Sequence, residues 1–343
     1  MQNQATIPQF HVVPGNVIKA ILSELRVQTI DIVAETYLAH ERGETVNPDS
    51  YFLRFPNDPS SRIIALPAAI ASRNEESAIS GIKWIASYPN NVKSGIPRAS
   101  AVLILNDPQT GYPIALLEGA LISAARTAAS AVLGAEWLNA RQKNVSRLSF
   151  VGGGVIARNI LETFVADGWK FSGVDIHDLD PASAEALAGF AQQSGHENVR
   201  VTSLEDAITA DIVVFATSAG TPYVTGSGKF RPRQIVLNIS LRDIAPEIIA
   251  ESYNFFDDVG HCLKANTSPH LAEQKYGNQD FVTGTIASLI RDDVQLLQDK
   301  PLIYSPFGMG ILDLALGKIV HEIAVDRGEA ILIPSFLGET HRW

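Results

Sequence analysis

Leu148-Ser149-Phe150-Val151-Gly152-Gly153-Gly154-Val155-Ile156-Ala157-Arg158 reads as a short apolar strand, a glycine turn and the first turn of a helix. Gly152, Gly154 and Ala157 fill the three positions of a dinucleotide-binding turn, the last with its permitted alanine. The first glycine allows the tight turn, the second lets a pyrophosphate approach the backbone, and the small third residue lets the helix pack on the strand. Val155 and Ile156 open that helix and are candidate cofactor contacts with Gly152 and Gly154. About 145 residues precede the turn, so a substantial domain comes before the nucleotide-binding one.

Downstream of the turn, strand and helix alternate. Strands are expected over 147–151, 171–177, 198–202, 211–217 and 234–239, and helices near 155–167, 181–193 and 203–209. Such alternation predicts βαβ units on a parallel sheet. Asp178 lies 26 positions after Gly152, at the end of the second strand. A carboxylate there can accept hydrogen bonds from adenosine ribose hydroxyls, and the following Leu179-Asp180-Pro181 offers no cation for a ribose phosphate, so NAD is expected rather than NADP. Asp175 is a second ribose candidate, and a helix cap is the structural alternative for Asp178. Thr217 and Ser218 end the fourth strand, and Asn238 and Ser240 lie at the end of the fifth, where ligands of open α/β sheets collect. The alternation ends near Pro301. Gly310 to about Arg327 is expected as a last amphipathic helix returning to the first domain, with Met309 before it as a further cofactor contact.

Upstream, Val17 to about His40 carries apolar residues at helical spacing, as one long helix or two shorter ones. From Tyr51 the period shortens to strands, including Arg62–Pro67, Ile79–Ile85, Ala101–Leu105 and Pro113–Leu117, with turn chemistry at Asn106-Asp107-Pro108-Gln109-Thr110-Gly111. A mostly antiparallel sheet with a helix is expected. Glu118 to Leu138 is alanine-rich and helical and leads towards the glycine turn.

With 343 residues, two domains are the default. A net charge of −10 argues against a nucleic-acid or anionic-membrane surface, since both need a basic face. Small-molecule partners fit better. The single cysteine, Cys262, can form no internal disulfide, and the start of the chain has neither a basic cluster nor a long apolar run. A reducing, cytoplasmic location is therefore expected.

Cations inside apolar segments stand out. Lys83 interrupts Gly81-Ile82-Lys83-Trp84-Ile85, Arg126 sits in the alanine-rich helix, and Arg54 and Arg98 flank strands. Each alone is compatible with a long side chain reaching water from an element edge. Together they suggest a basic pocket for carboxylates, arginines pairing bidentately and a desolvated lysine serving as acid or base. Asp243, just after the fifth strand, would lie near the nicotinamide end of the cofactor; a helix cap before Pro246 is its structural alternative. His261 and Cys262 have no second half of a metal site, and no metal is expected.

The order of a mixed N-terminal part, a Rossmann unit and a returning helix resembles the ornithine cyclodeaminase/mu-crystallin family. The segments Arg62–Pro67, Ile79–Ile85, Arg98–Ser100, Ile104–Ala128, Asn238–Asp243 and Pro306–Gly310 resemble one branch of it, the aminocarboxyethyl-glutamate dehydrogenases, which make diaminopropionate for siderophores such as staphyloferrin B. The resemblance implies an α/β chain with a Rossmann-type NAD-binding domain over 131–304. A mixed α+β domain over 1–130 and 305–343 would bind substrate and form a homodimer. It implies NAD-dependent oxidative cleavage of an amino-acid substrate bearing several carboxylates. Arg54, Lys83 and Arg126 match the family's substrate-carboxylate or acid/base positions, and Asp243 its catalytic aspartate; Arg98 is added from the residue reading alone. One departure is informative. Cyclodeaminases and related alanine dehydrogenases carry Pro-Gly-Lys just after the aspartate, whereas this chain reads Asp243-Ile244-Ala245-Pro246-Glu247. That disfavours ornithine cyclodeaminase. Ornithine cyclodeaminase, ketimine reductase or alanine dehydrogenase activity on the same scaffold, and nucleotide binding without turnover as in mu-crystallin-like members, remain the alternatives.

Overall fold

The computed structural model describes residues 8–71 and 78–339. The chain is α/β and divides into two compact units, Met1–Arg126 with Met309–Trp343, and Thr127–Gly308. The division falls inside the alanine-rich helix, which spans Gly119–Leu138.

The first unit is built on an eight-stranded sheet. Its order is Ile331–Leu332, His11–Val13, Pro113–Glu118, Ala99–Asn106, Ile79–Ser87, Asp58–Ile70 and Thr45–Val46, with Tyr51–Phe55 also paired to Asp58–Ile70. The pairings are antiparallel except that between His11–Val13 and Pro113–Glu118, which is parallel. The stripe over 17–40 forms two helices, Gly15–Glu24 and Gln28–Glu41. Gly310–Asp326 lies across the central strands. Strand alternation decides which side it covers: Leu66, Ala68, Lys83, Leu103, Leu105 and Leu117 are buried, and Leu103 and Leu66 meet Gly317 and Gly310 of that helix. The opposite face carries the cross-strand rows Pro67, Ile82, Ile104, Leu116 and Tyr51, Ala65, Trp84, Val102. None of these eight is buried.

The second unit is a parallel sheet in the order Val199–Val201, Lys170–His177, Asn144–Val151, Ile212–Phe215, Ile235–Asn238, Leu302–Ser305, Tyr253–Phe256 and Val282–Thr285. From Asn144–Val151 the chain moves outward through two strands, then reverses and adds Ile212–Phe215 on the other side. That reversal is the topological switch point of a doubly wound sheet, and a ligand crevice opens at the carboxyl ends of the strands there.

The expectation that alternation stops near Pro301 is corrected. Leu302–Ser305 is a wholly buried strand between Ile235–Asn238 and Tyr253–Phe256, and Val282–Thr285 extends the sheet further. Each has four residues, too few to show a period. The alanine-rich helix accommodates the strand at Tyr304: its hydroxyl is 3.0 Å from Ser130 Oγ, and a Cβ on Gly134 would lie 2.3 Å from its ring.

Candidate active site

The first unit holds a buried ionic cluster. Lys83, 2% exposed in mid-sheet, donates to Asp313 Oδ2 at 2.6 Å and to Ser123 Oγ at 3.1 Å. Arg126 donates through Nε to Asp313 Oδ1 at 3.3 Å and through Nη2 to Ser123 Oγ at 3.4 Å. Strand, alanine-rich helix and returning helix each contribute. Asp313 stands in the first turn of its helix among Ile311, Leu312 and Leu314, all buried. A charge there requires a partner. Burial lowers the Lys83 ammonium to about 8; repulsion from Arg126 acts the same way, and Asp313 opposes it. Two cations share one carboxylate, so the protonated cluster carries a surplus positive charge suited to an anionic substrate.

Arg98 and Arg54 are held apart from this cluster. Arg98 donates to Ser87 Oγ at 2.8 Å, and burial lowers its guanidinium below the ordinary value. Arg54 is exposed, its guanidinium 5.1 Å from the centre of the Phe52 ring. Arg54 pairs across strands with Arg62, and Arg62 with Ser87. Arg62 was not singled out from the sequence, yet it shares this cationic row. Ser87 is four residues along the strand from Lys83 and on the same side of the sheet, a separation of about 13 Å. Asp313 and Ser123 were also missed. The signal for Asp313 was the one that picked out Lys83, a charge inside an apolar run, applied to cations alone.

In the second unit the glycine turn forms at the carboxyl end of Asn144–Val151. Gly152 has φ +100°, and a Cβ there would lie 2.5 Å from Ala216 O. Gly154 caps the helix Val155–Ala166 without a side-chain bond among the described residues, and a Cβ on it would meet nothing within 4 Å. Open space faces the first-turn amides of Val155 and Ile156, as a bound pyrophosphate requires.

Asp178 follows the second strand. Its Oδ2 accepts from Gly153 N at 2.6 Å and its Oδ1 from Asp180 N at 2.8 Å, so it is tied to the glycine turn. The cap of the next helix is Asp180, not Asp178. Asp175 is corrected as a ribose candidate: it is buried and paired with Arg147 at 2.5 Å and Arg200 at 2.9 Å, which saturate the carboxylate.

The remaining candidates gather at the ends of the fourth and fifth strands. Asn238 is wholly buried; its Nδ2 donates to Ser305 Oγ at 2.9 Å, while its Oδ1 has no partner among the described residues. Asp243 is also wholly buried. Its Oδ1 accepts from Thr217 Oγ1 and from Tyr223 Oη, the latter at 2.9 Å, and its Oδ2 accepts from Ser240 Oγ. The turn that returns Asp243 to Ser240 holds Leu241 at φ +69°, a strained conformation of the kind that collects at functional sites. Asp243 is no helix cap, since Ala245 occupies that position before Pro246. Ser218 is exposed and Met309 buried at the start of the returning helix. Tyr223 was missed because it lies in a loop, 20 residues from the carboxylate it serves.

His261 and Cys262 are both buried. Cys262 Sγ, with one proton to donate, lies 3.2 Å from Asp257 Oδ1 and 3.0 Å from Ser305 O, and His261 Nδ1 lies 3.0 Å from Asp258 Oδ1. Among the described residues no group of three side chains could hold a metal, and no helix is long and apolar enough to cross a membrane.

Comparison with known proteins agrees with this architecture. N-((2S)-2-amino-2-carboxyethyl)-L-glutamate dehydrogenase of Staphylococcus aureus is 30% identical over 309 residues, covering 86% of this chain and 89% of the relative. Two solved structures share the fold. Thermococcus litoralis Δ1-pyrroline-2-carboxylate reductase, in complex with NADH and L-proline, superposes with a TM-score of 0.84 at 22% identity, covering 94% of this chain and 99% of the other. An archaeal alanine dehydrogenase dimer with bound NAD gives 0.84 at 22% identity, covering 96% and 100%. The family model for ornithine cyclodeaminase and mu-crystallin matches residues 16–227, and with that match and the staphylococcal relative the chain belongs to the ornithine cyclodeaminase/mu-crystallin family.

Proposed function

We propose that the protein is an NAD-dependent amino-acid dehydrogenase that oxidatively cleaves N-(2-amino-2-carboxyethyl)-L-glutamate to 2,3-diaminopropionate and 2-oxoglutarate. The observation that carries the reading is the buried Lys83–Asp313–Arg126 cluster, in which a guanidinium able to pair with a substrate carboxylate shares its anion with a lysine whose ammonium is lowered to about 8 by burial. The staphylococcal relative supplies the substrate itself.

The second unit fits the cofactor. The amides of Val155 and Ile156 and the space at Gly154 would hold the pyrophosphate, and Asp178 the adenosine ribose. Asn238 Oδ1, buried and unpartnered among the described residues, is a ready acceptor at the strand ends, where Thr217, Ser218 and Ser240 also stand; Met309, in the first unit, is a further candidate contact. When bound, NAD supplies the hydride acceptor for the glutamate α-carbon. Lys83, neutral above about pH 8, takes one proton from the substrate ammonium, so that oxidation leaves a protonated imine. Arg126 holds a carboxylate, and Arg54 and Arg98 serve the others. Asp243 orients the water that hydrolyses the imine.

The uncovered sheet face of the first unit supports a homodimer. Trp84 is 41% and Tyr51 66% exposed there, and apolar rows of this extent mark an association surface. The single, buried cysteine is in keeping with a cytoplasmic enzyme.

Following reduced nicotinamide by absorbance, with aminocarboxyethyl-glutamate and NAD, tests the reading. NADH and 2-oxoglutarate should form in equal amounts. Turnover of ornithine to proline and ammonia without net NADH would replace it with a cyclodeaminase. No turnover of any amino acid would leave a nucleotide-binding protein.

A further inference from the structure

We propose that Tyr223 is a further catalytic residue, the proton relay between Asp243 and the water that hydrolyses the imine; this rests on the dehydrogenase reading above. Asp243 is wholly buried and both its oxygens are occupied by hydroxyls. The carboxylate therefore reaches the crevice only through the groups that cap it. Three hydroxyls do so, and they are not equivalent. Thr217 Oγ1 also accepts from Ala219 N at 3.1 Å. Tyr223 is 39% exposed while its hydroxyl donates to Asp243 at 2.9 Å, so this one residue reaches from the buried carboxylate to the solvent-accessible surface.

The hydroxyl is not needed to hold its own loop. Tyr223 N and Val224 N both donate to Asp243 O, at 3.0 and 2.9 Å, and Ala245 N donates to Val224 O at 2.9 Å. Burial, then the charge of Asp243 and the hydrogen bond to it, push the phenol well above its ordinary value, and Asp178 adds to the effect. Tyr223 thus stays protonated and acts by passing a proton on, not as a phenolate.

The step balances. Lys83 has removed one of the two protons of the substrate ammonium, so the oxidised group is a protonated imine; the water oxygen bonds to its carbon and the C=N π pair moves to nitrogen, which keeps its proton. One water proton passes to Tyr223 Oη as the phenol proton passes to Asp243 Oδ1. In the collapse that follows, the C–N bond breaks and the same path in reverse protonates the departing amine. The carbinolamine hydroxyl loses its proton to solvent and becomes the keto oxygen of 2-oxoglutarate. Hydride transfer precedes both events and does not use the relay.

Stopped-flow measurement on the full-length Tyr223→Phe protein, with NAD and aminocarboxyethyl-glutamate, separates the two stages. The first equivalent of NADH per site should form at the wild-type rate, and later turnovers should slow by about 100-fold, the usual cost of losing an acid–base group. An unchanged steady rate overturns the relay; so does loss of the first equivalent. If the wild-type protein makes no NADH from this substrate, the dehydrogenase reading fails first. The relay is then decided by carboxyl 13C NMR of Asp243 in both proteins, identified through Asp243→Asn. Its resonance should move when the phenol is removed, and an unaltered Asp243 signal overturns the pairing.

Discussion

Lys83 Nζ lies 2.6 Å from Asp313 Oδ2, and both side chains are buried. The same carboxylate serves Arg126, so Asp313→Asn leaves two buried cations facing each other without their anion. Breaking a buried pair in this way costs about 3–5 kcal/mol. Urea unfolding of the variant should show a loss of that order with an unchanged m-value, which reports the surface exposed on unfolding. A loss under about 1 kcal/mol would mean that solvent already screens the cluster.

The same pair sets a pH dependence. Lys83 has a folded-state value of about 8 against an ordinary 10.5. Below pH 8 the lysine is charged whether the chain is folded or unfolded, and burial of that charge opposes folding in full. Between about pH 8 and 10.5 the folded state has shed a proton that the unfolded state keeps, so stability rises with pH. Relative to Lys83→Met, which lacks this titration, the wild-type protein should gain about 3 kcal/mol across the window. As a proton acceptor Lys83 works only when neutral. The logarithm of kcat/KM should therefore climb with unit slope below about pH 8 and level above it, whereas Lys83→Arg should be inactive throughout. A flat profile from pH 6 to pH 9 would remove the lysine from the proton transfer.

What could be read without coordinates follows from element length and from where a residue's partner lies. The helix Val155–Ala166 ends one residue before its expected limit, and the strand before the glycine turn ends where expected at Val151 but begins three residues earlier, at Asn144; strand, turn and helix are contiguous and each carries its own period. Lys83 and Arg126 were conspicuous as charges in apolar segments. Their shared anion lies 187 positions beyond Arg126, a separation that no local pattern reports. Asp175 was misjudged for a related reason: its place on the strand suited a ribose, but its guanidinium partners, Arg147 and Arg200, sit on the two neighbouring strands. The strand Leu302–Ser305 shows the same limit for the fold, since only pairing identifies so short an apolar run as part of a sheet.

The first unit's apolar sheet face should prove to be a subunit interface. Trp84 and Ile82 stand on adjacent cross-strand rows beside Val102 and Ile104, and Trp84→Glu would place a charge amid them. Sedimentation velocity should show the wild-type protein as a dimer and Trp84→Glu as a monomer. The variant's far-UV circular dichroism should be unchanged, because Trp84 lies on the face turned away from the helix Gly310–Asp326. A wild-type monomer would refute the interface.

Two glycines two positions apart, Gly152 and Gly154, should respond in opposite ways to the same substitution. At Gly152 an added Cβ would lie 2.5 Å from Ala216 O, on a backbone with φ +100°. Gly152→Ala should therefore destabilise the folded protein even without cofactor, since neither the strain nor the backbone clash can relax cheaply. At Gly154 the backbone has φ −80° and the added Cβ meets nothing within 4 Å. Gly154→Ala should leave the melting temperature of the cofactor-free protein unchanged, or slightly raise it. Because the methyl occupies the space assigned to the pyrophosphate, NAD affinity should nonetheless fall by about 10-fold or more, equivalent to about 1.4 kcal/mol. Isothermal titration with NAD, alongside thermal melts of the free protein, reads the two effects separately. Undiminished affinity in Gly154→Ala would show that the dinucleotide does not lie against this turn.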